Sequence, residues 1–285
     1  MHPSCPVVAR SQPFFCTFPA AHYNRSLLNA AQCERLEVVL VSPRNPLNIG
    51  AVARAMANFG LSRLTVVAPY APPWRDARSA VGAPQLLESA REVPTLAEAV
   101  ADSTLVIGTG CLTYRKPEQP VVSLPDLAPL ANREFDRSGR ISLVFGSEKH
   151  GLTRYDLSHC HCLVVIPTSP GQPSMNLGQA AAVCLYELAA RVNLPESEGF
   201  KPEVEKNRCA ADGLPTSSGH LDILTGLIEE TMLATGYSPR SMQAANRYDL
   251  RLILRRLAPG AEDTRRMLGL FRRILWRLRH PKVFG

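Results

Sequence analysis

Ile141-Ser142-Leu143-Val144-Phe145-Gly146-Ser147-Glu148-Lys149-His150-Gly151-Leu152-Thr153 joins an apolar run to a polar, glycine-bounded loop. The first five residues lack the polar alternation of a half-solvated strand, so they read as a strand buried on both faces. Glycine at the carboxyl end of such a strand permits close backbone approach to a ligand. In open α/β sheets the crevice at those ends is the usual binding place.

Outward from this stretch, similar runs recur at Glu37–Val41, Leu64–Ala68, Thr104–Ile107 and Cys162–Ile166. Longer helical patterns lie between them: Leu47 to Phe59, stopped by Gly60, then Leu96 to Ala101, and an Ala- and Leu-rich stretch from Asn176 to about Val192. Strands buried on both faces and separated by helices predict an α/β fold, a parallel sheet flanked by helices.

The chain has 285 residues, 45% of them hydrophobic and 20% charged, so one sizeable core plus an appendage is expected. No apolar run approaches the roughly 18 to 20 residues needed to span a bilayer, which predicts a protein without membrane contact. Eight cysteines, among them Cys111, Cys160, Cys162 and Cys184, include no CxxC pair. Reduced thiols and a cytoplasmic location are the expectation. The boundaries fall at 37 to 194 for the sheet domain, 195 to 216 for a Pro- and Ser-containing linker and 217 to 285 for a small all-helical extension. Residues 1 to 36 form an N-terminal extension. Its first 33 residues hold Arg10 and Arg25 but no acid, so it reads as a poorly ordered segment or a targeting peptide.

Net charge is +7, and its location is uneven. Residues 247 to 285 carry eleven Arg and Lys against three acids, so the excess lies entirely in the tail. Arg247, Arg251 and Arg255 form a row at i, i+4, i+8. A last helix sets Met267, Leu270, Phe271, Ile274, Leu275 and Leu278 apart from Arg265, Arg266, Arg272, Arg273, Arg277 and Arg279. Arginines without acidic partners repel one another, so both sets are expected on the outside, facing a polyanion.

Two further segments interrupt apolar runs. Ser42-Pro43-Arg44-Asn45-Pro46-Leu47-Asn48-Ile49-Gly50-Ala51-Val52-Ala53-Arg54 reads as a loop opening a helix. There Asn48 is the expected cap, Gly50 and the alanines allow close packing, and Arg54 projects a fixed cation. Ile166-Pro167-Thr168-Ser169-Pro170-Gly171-Gln172-Pro173-Ser174-Met175-Asn176-Leu177-Gly178 links a strand to the long helix. Its hydroxyls, amides and proline-fixed backbone suit a ring around a planar heterocycle.

Rival signals are weaker. Gly108-Thr109-Gly110 is a fragment of GxGxxG followed by Pro117 and Pro120 where a helix is required. His159-Cys160-His161-Cys162 enters a strand, where alternation sends His and Cys to opposite faces, so no metal is expected. Cys184 reads as core rather than nucleophile.

Taken together and in this order, Asn48-x-Gly50-x-x-x-Arg54, Phe145-Gly146-Ser147-Glu148-x-x-Gly151-Leu152, and Ile166-Pro167 followed by Ser174-Met175-Asn176-Leu177 resemble the three motifs of the TrmH family of SPOUT methyltransferases. The resemblance covers residues 37 to about 192. It implies a C-terminal trefoil knot, which sequence physics alone would not suggest because knotted chains are rare. It also implies S-adenosyl-L-methionine as cofactor, touching Thr109, Gly110, Cys111, Gly146, Ile166, Ser174 and Met175. Arg54, Asn48, Glu148, Ser174 and Asn176 would complete the catalytic site.

A catalytic domain with a basic helical C-terminal extension is most similar to the TrmJ-type subfamily, which methylates the ribose at position 32 of the tRNA anticodon loop. The partners so implied are tRNA and a second copy of the chain in a homodimer. The same chemistry on ribosomal RNA or another tRNA nucleotide, and a silent RNA-binding protein, remain alternatives. Arg54, whose guanidinium is ill suited to accept a proton, would grip a phosphate and steady developing alkoxide charge. Glu148 and Asn176 would hold the loops, with Ser174 near the hydroxyl. Sequence leaves open whether Arg54 serves its own subunit or its partner.

Overall fold

The computed structural model describes residues 28–70, 72–110, 117–192 and 214–280. Seven strands, β1 (Leu36–Val41), β2 (Leu64–Val67), β3 (Arg91–Val93), β4 (Leu105–Thr109), β5 (Val121–Ser123), β6 (Ile141–Phe145) and β7 (Cys162–Val165), form one sheet. Their order is β3-β2-β1-β6-β4-β7-β5 and every pairing is parallel. All residues of β1, β2 and β6 are buried, Glu37, Thr65 and Ser142 included, which is why these strands are legible as mostly apolar runs. The two edge strands, β3 and β5, are three residues long and partly exposed, and they have no such signature.

Ten helices complete the described chain: α1 (Ala30–Cys33), α2 (Pro46–Asn58), α3 (Pro84–Ser89), α4 (Leu96–Ala99), α5 (Leu127–Asp136), α6 (Arg154–Ser158), α7 (Leu177–Arg191), α8 (Ser218–Ala234), α9 (Gln243–Leu257) and α10 (Ala261–Arg279). One face of the sheet packs on α2, α5 and α7 through Val38, Leu40, Ile107, Leu143 and Phe145. The other packs Val39, Val106 and Val144 against Leu96, Val100, Leu152 and Cys160. Cys184 lies inside the first core, where burial pushes its thiol up to about 12, so it stays protonated.

The folded chain starts before the boundary at residue 37. Asn29 and Gln32 form a reciprocal capping box on α1, and Leu28 packs into the main core. Residues 1 to 27 and most of the linker at 195 to 216 lie outside the described residues. No described helix is long and apolar enough to cross a membrane.

The first arginine row departs from expectation. Arg251 and Arg255 are 8% and 3% exposed, and face inward. Arg255 donates from Nη2 to Asp222 of α8 (3.1 Å) and from Nε to the carbonyl of His159 (3.0 Å). Arg251 lies 3.4 Å from Asp222 and over the ring of Tyr155, while Arg247 donates to Glu229 at 2.8 Å. The acids that neutralise this row come from α8, about 20 to 30 residues upstream, so spacing along one helix could not show them. They clamp α8 and α9 onto α6 and the loop that follows it.

His159 is fully buried in this clamp, 3.4 Å from Asp222, with neither ring nitrogen hydrogen-bonded among the described residues. Burial is the largest influence and holds its pKa below the ordinary 6.5, with Asp222 opposing and the two arginines assisting. Burial pushes the Asp222 carboxyl up, but His159 and the arginines outweigh it and hold it well below the usual carboxylate range.

Both groups bind fewer protons folded than unfolded, so each contributes stability that is lost as pH falls. The unfolding free energy should decline as pH drops below about 6.5, first through His159 and then, below 3.8, through Asp222. Urea unfolding between pH 7 and pH 5 should show a shallower decline for His159→Phe than for the native chain. Equal slopes would remove His159 as the titrating group.

Candidate active site

The carboxyl ends of β1, β6, β4 and β7, four adjacent strands, deliver four loops to one edge of the sheet. The backbone reverses sharply there. Ser42 after β1 and Ala68 after β2 both take left-handed φ angles, 47° and 42°, a conformation uncommon outside glycine.

Glu148 is the hub of these loops. Its Oε2 accepts from the backbone N–H of Arg44 (2.8 Å) and its Oε1 from those of Asn45 (3.0 Å) and the Asn48 side chain (2.9 Å). Asn176 then donates from Nδ2 to Asn48 Oδ1 at 3.0 Å. Asn48, Glu148 and Asn176, one from each motif-bearing segment, therefore form one hydrogen-bonded chain. Partial burial pushes the Glu148 carboxyl up. The Asn48 amide and the backbone N–H groups of Arg44, Asn45 and Glu148 itself more than offset this, holding it below its ordinary value and ionised.

Asn48 does not cap α2. Asn45 does, accepting from Leu47 N at 3.0 Å with Pro46 following at the first helical position, so Asn48 is free to reach across to Glu148. Asn176 does cap α7, through Gly178 N (2.9 Å) and Gln179 N (3.4 Å). The amide thus uses its oxygen for the helix and its nitrogen for the network. The helices cross closely at this end, where a Cβ at Gly178 would sit 2.7 Å from that of Ala51. Gly50 faces the chain at Ser79 and Ala80, and Ser79 Oγ donates to the Leu47 carbonyl at 2.6 Å.

Gly146 is required for an internal reason. A Cβ there would collide with the backbone of Gly151 and Leu152, because the 147–151 turn folds back on it. Thr109 is half-buried and its hydroxyl donates to the Val144 carbonyl at 3.0 Å. Gly110, by contrast, is exposed, and a Cβ there would meet nothing within 4 Å among the described residues. Ile166 and Met175 are half-buried on the neighbouring β7 exit and Ser174 is exposed, while Cys111 lies outside the described residues. Ile166 and Met175 offer apolar surface and Ser174 a hydroxyl, a set that fits a planar heterocycle with a polar ribose edge.

Arg54 stays apart from the Asn48–Glu148–Asn176 chain. It is exposed on α2 with no hydrogen bond or ion pair among the described residues. Arg44 and Tyr70 are additions that the sequence did not single out. The guanidinium lies 4.5 Å from the ring centroid, and Tyr70 N donates to the Pro43 carbonyl at 3.1 Å. Twenty-six residues separate the pair, and only the adjacency of β1 and β2 brings them together.

The chain is similar to known proteins over most of its length. The model of the SpoU rRNA Methylase family matches residues 35–186. The tRNA (cytidine/uridine/adenosine-2'-O-)-methyltransferase TrmJ of Pseudomonas aeruginosa is 34% identical over 205 residues, covering 72% of this chain and 79% of that protein. The tRNA (cytidine/uridine-2'-O-)-methyltransferase TrmJ of Escherichia coli K12 is 31% identical over 243 residues, covering 83% and 94%. Among solved structures, TrmJ from Zymomonas mobilis superposes with a TM-score of 0.69 at 28% identity, covering 84% of this chain and 98% of that one.

The double duty of Asn176 can be separated by substitution. Asn176→Ala loses both the α7 cap and the bond to Asn48, and should lower the unfolding free energy by about 1 to 2 kcal/mol. Asn176→Asp keeps the cap but loses the donor and places a carboxylate near Glu148. Its deficit should be small at pH 4 and grow towards pH 7 as that carboxylate ionises. A pH-independent deficit in urea titrations of Asn176→Asp would contradict the network.

Proposed function

The chain belongs to the SpoU rRNA methylase family, and from that premise we propose that it is an S-adenosyl-L-methionine-dependent tRNA ribose 2'-O-methyltransferase. The observation that carries the reading is the Asn48–Glu148–Asn176 chain, which ties the three motif-bearing segments together at the carboxyl edge of the sheet. TrmJ relatives covered over most of their length support tRNA as the substrate class. The family description supports ribosomal RNA as the second reading.

Thr109, Gly110, Cys111, Gly146, Ile166, Ser174 and Met175 would hold the cofactor, which supplies an activated methyl group for one in-line displacement. Gly110 and Ile166 would lend backbone and apolar surface to the cofactor, and Gly146 also lets the 147–151 turn close. Glu148, Asn48 and Asn176 are positioning residues that fix the loops before substrate arrives, the pre-organisation such a transfer requires. Arg54 would grip the phosphate beside the target ribose and steady the oxygen as the hydroxyl gives its proton to solvent water, with Ser174 Oγ beside that hydroxyl.

The reading extends to assembly and architecture. Residues 37 to 194 are the catalytic domain, with its carboxyl-terminal part threaded into a trefoil knot. The insertion of β6 between β1 and β4, and of β7 between β4 and β5, supports that threading. Residues 195 to 216 link it to the helical extension at 217 to 285. The protein acts in the cytoplasm as a homodimer on the anticodon loop at position 32. An exposed Arg54 without a partner among the described residues supports a composite site in which it serves the cofactor of the other subunit.

Mass spectrometry of tRNA from cells lacking the protein should show loss of one ribose methylation, and purified protein with S-adenosyl-L-methionine should restore it. Loss from ribosomal RNA with intact tRNA would favour the second reading.

Gly110→Trp should abolish cofactor binding in calorimetry with the fold intact. Gly146→Trp is unsuited to the purpose because it would break the turn itself. Mixing inactive Arg54→Ala and Gly110→Trp subunits tests the composite site. Shared sites give each mixed dimer one intact centre and partial recovery, whereas self-contained sites give none.

A further inference from the structure

We propose that Arg44 holds a phosphate of the RNA strand beside the target nucleotide, and that Tyr70 is the positioning residue that presents its guanidinium. The inference deepens the RNA methyltransferase reading and rests on it.

Arg44 follows β1 and Tyr70 follows β2, so both stand at the carboxyl edge of the sheet, where the Asn48–Glu148–Asn176 chain lies. The backbone N–H of Arg44 donates to Glu148 Oε2 at 2.8 Å, yet the guanidinium does not pair with that carboxylate. Both Glu148 oxygens are already engaged by the N–H groups of Arg44 and Asn45 and by the Asn48 amide. The guanidinium lies instead over Tyr70, 4.5 Å from the ring centroid. Both side chains are exposed, Tyr70 by 71%. Arg44 makes no side-chain hydrogen bond or ion pair among the described residues. Arginines near β2 and β3 are paired: Arg63 and Arg91 with Glu37 at 3.8 and 3.6 Å, and Arg75 with Glu92 at 3.0 Å.

Stability does not account for the Arg44–Tyr70 pair. Ser42 and Ala68, two residues before each, take left-handed φ angles of 47° and 42°. Ser42 N donates to the Val67 carbonyl at 2.8 Å and Tyr70 N to that of Pro43 at 3.1 Å, which stitches the two turns together. Two such turns cost more than one exposed cation–π contact returns. Backbone strain of this kind persists where a side chain has to be held in one place.

A guanidinium resting on a ring keeps its N–H donors available, and their fork matches a phosphate in bidentate geometry. Tyr70 restricts the arginine before the anion arrives, so less freedom is lost on binding. The ring is a prop and receives no base. The cofactor carboxylate is the other anion to consider. β4, which ends in Thr109, lies two places from β1 and three from β2, roughly 10 to 15 Å away at the usual strand spacing. An RNA strand carries a charge at every nucleotide and spans that distance, which favours RNA.

Filter binding of a tRNA transcript to the full chain tests the assignment. Arg44→Gln keeps the backbone N–H that Glu148 accepts. It should weaken tRNA binding about tenfold and reduce the slope of log affinity against log salt by about 0.7 to 0.9. Its S-adenosyl-L-methionine affinity and thermal midpoint should match the native chain. Tyr70→Leu should weaken binding about two- to fivefold, and Tyr70→Phe, which keeps the ring, should restore it. In the Arg44→Gln background Tyr70→Leu should cost nothing further, because the prop acts only through the arginine.

Native tRNA affinity and salt slope in Arg44→Gln would overturn the proposal and leave the enzyme reading intact. A Tyr70→Leu loss that persists in full without Arg44 would do the same. Weaker S-adenosyl-L-methionine binding with unchanged tRNA binding would overturn it in favour of the cofactor carboxylate. Absence of methyl transfer to tRNA or ribosomal RNA by the native protein would remove the reading beneath it as well.

Discussion

Glu148 accepts hydrogen bonds from two backbone N–H groups and one amide, all contributed by the chain that follows β1, a hundred residues earlier. Without a carboxylate in that place the 43–46 turn would have no acceptor for its outward donors. The start of α2 would then lose its fixed relation to the 146–152 turn. Asn48, held by Glu148, in turn supplies the acceptor for Asn176 and so fixes where α7 begins. One side chain thereby sets the relative positions of three loops, and its ionised state is maintained by the same bonds it accepts. The arrangement favours positioning over proton transfer: a carboxylate with its oxygens occupied and its pKa lowered is a poor base at neutral pH.

The second polar centre performs a comparable task on the other side of the sheet. Asp222 lies between Arg251, Arg255 and His159, joining the helical tail to the catalytic body through charge rather than apolar surface alone. Such a buried cluster adds little net stability, but removing one member leaves uncompensated charge.

What was legible in the sequence follows from burial. β1, β2, β4, β6 and β7 are interior strands, and double-sided burial writes an apolar run into the chain; β3 and β5 lie at the edges and carry no such mark. The three motif segments converge as their order suggested. Their internal roles were less visible, because Asn45 and Asn48 are chemically identical candidates for one cap and Pro46 between them decides the matter. Gly146 carries a second constraint that the sequence did not display, since an added Cβ would strike the backbone of its own turn. The arginine row on α9 was misread because a helical repeat shows which residues share a face but not what that face meets. Its partners, Asp222 and Glu229, belong to another helix.

The strand order also bears on how the chain reaches this state. β6 lies between β1 and β4, and β7 between β4 and β5, so the centre of the sheet and one further interior place are filled by the last two strands to leave the ribosome. Until about residue 145 has emerged, β1 and β4 have no shared neighbour, and their apolar edges wait in water. Nucleation therefore depends on contacts between distant parts of the chain, which slows folding and exposes unpaired strands while synthesis continues. Nascent chains of this protein are natural clients for a chaperone that shields extended apolar segments, whereas the finished sheet hides those edges inside.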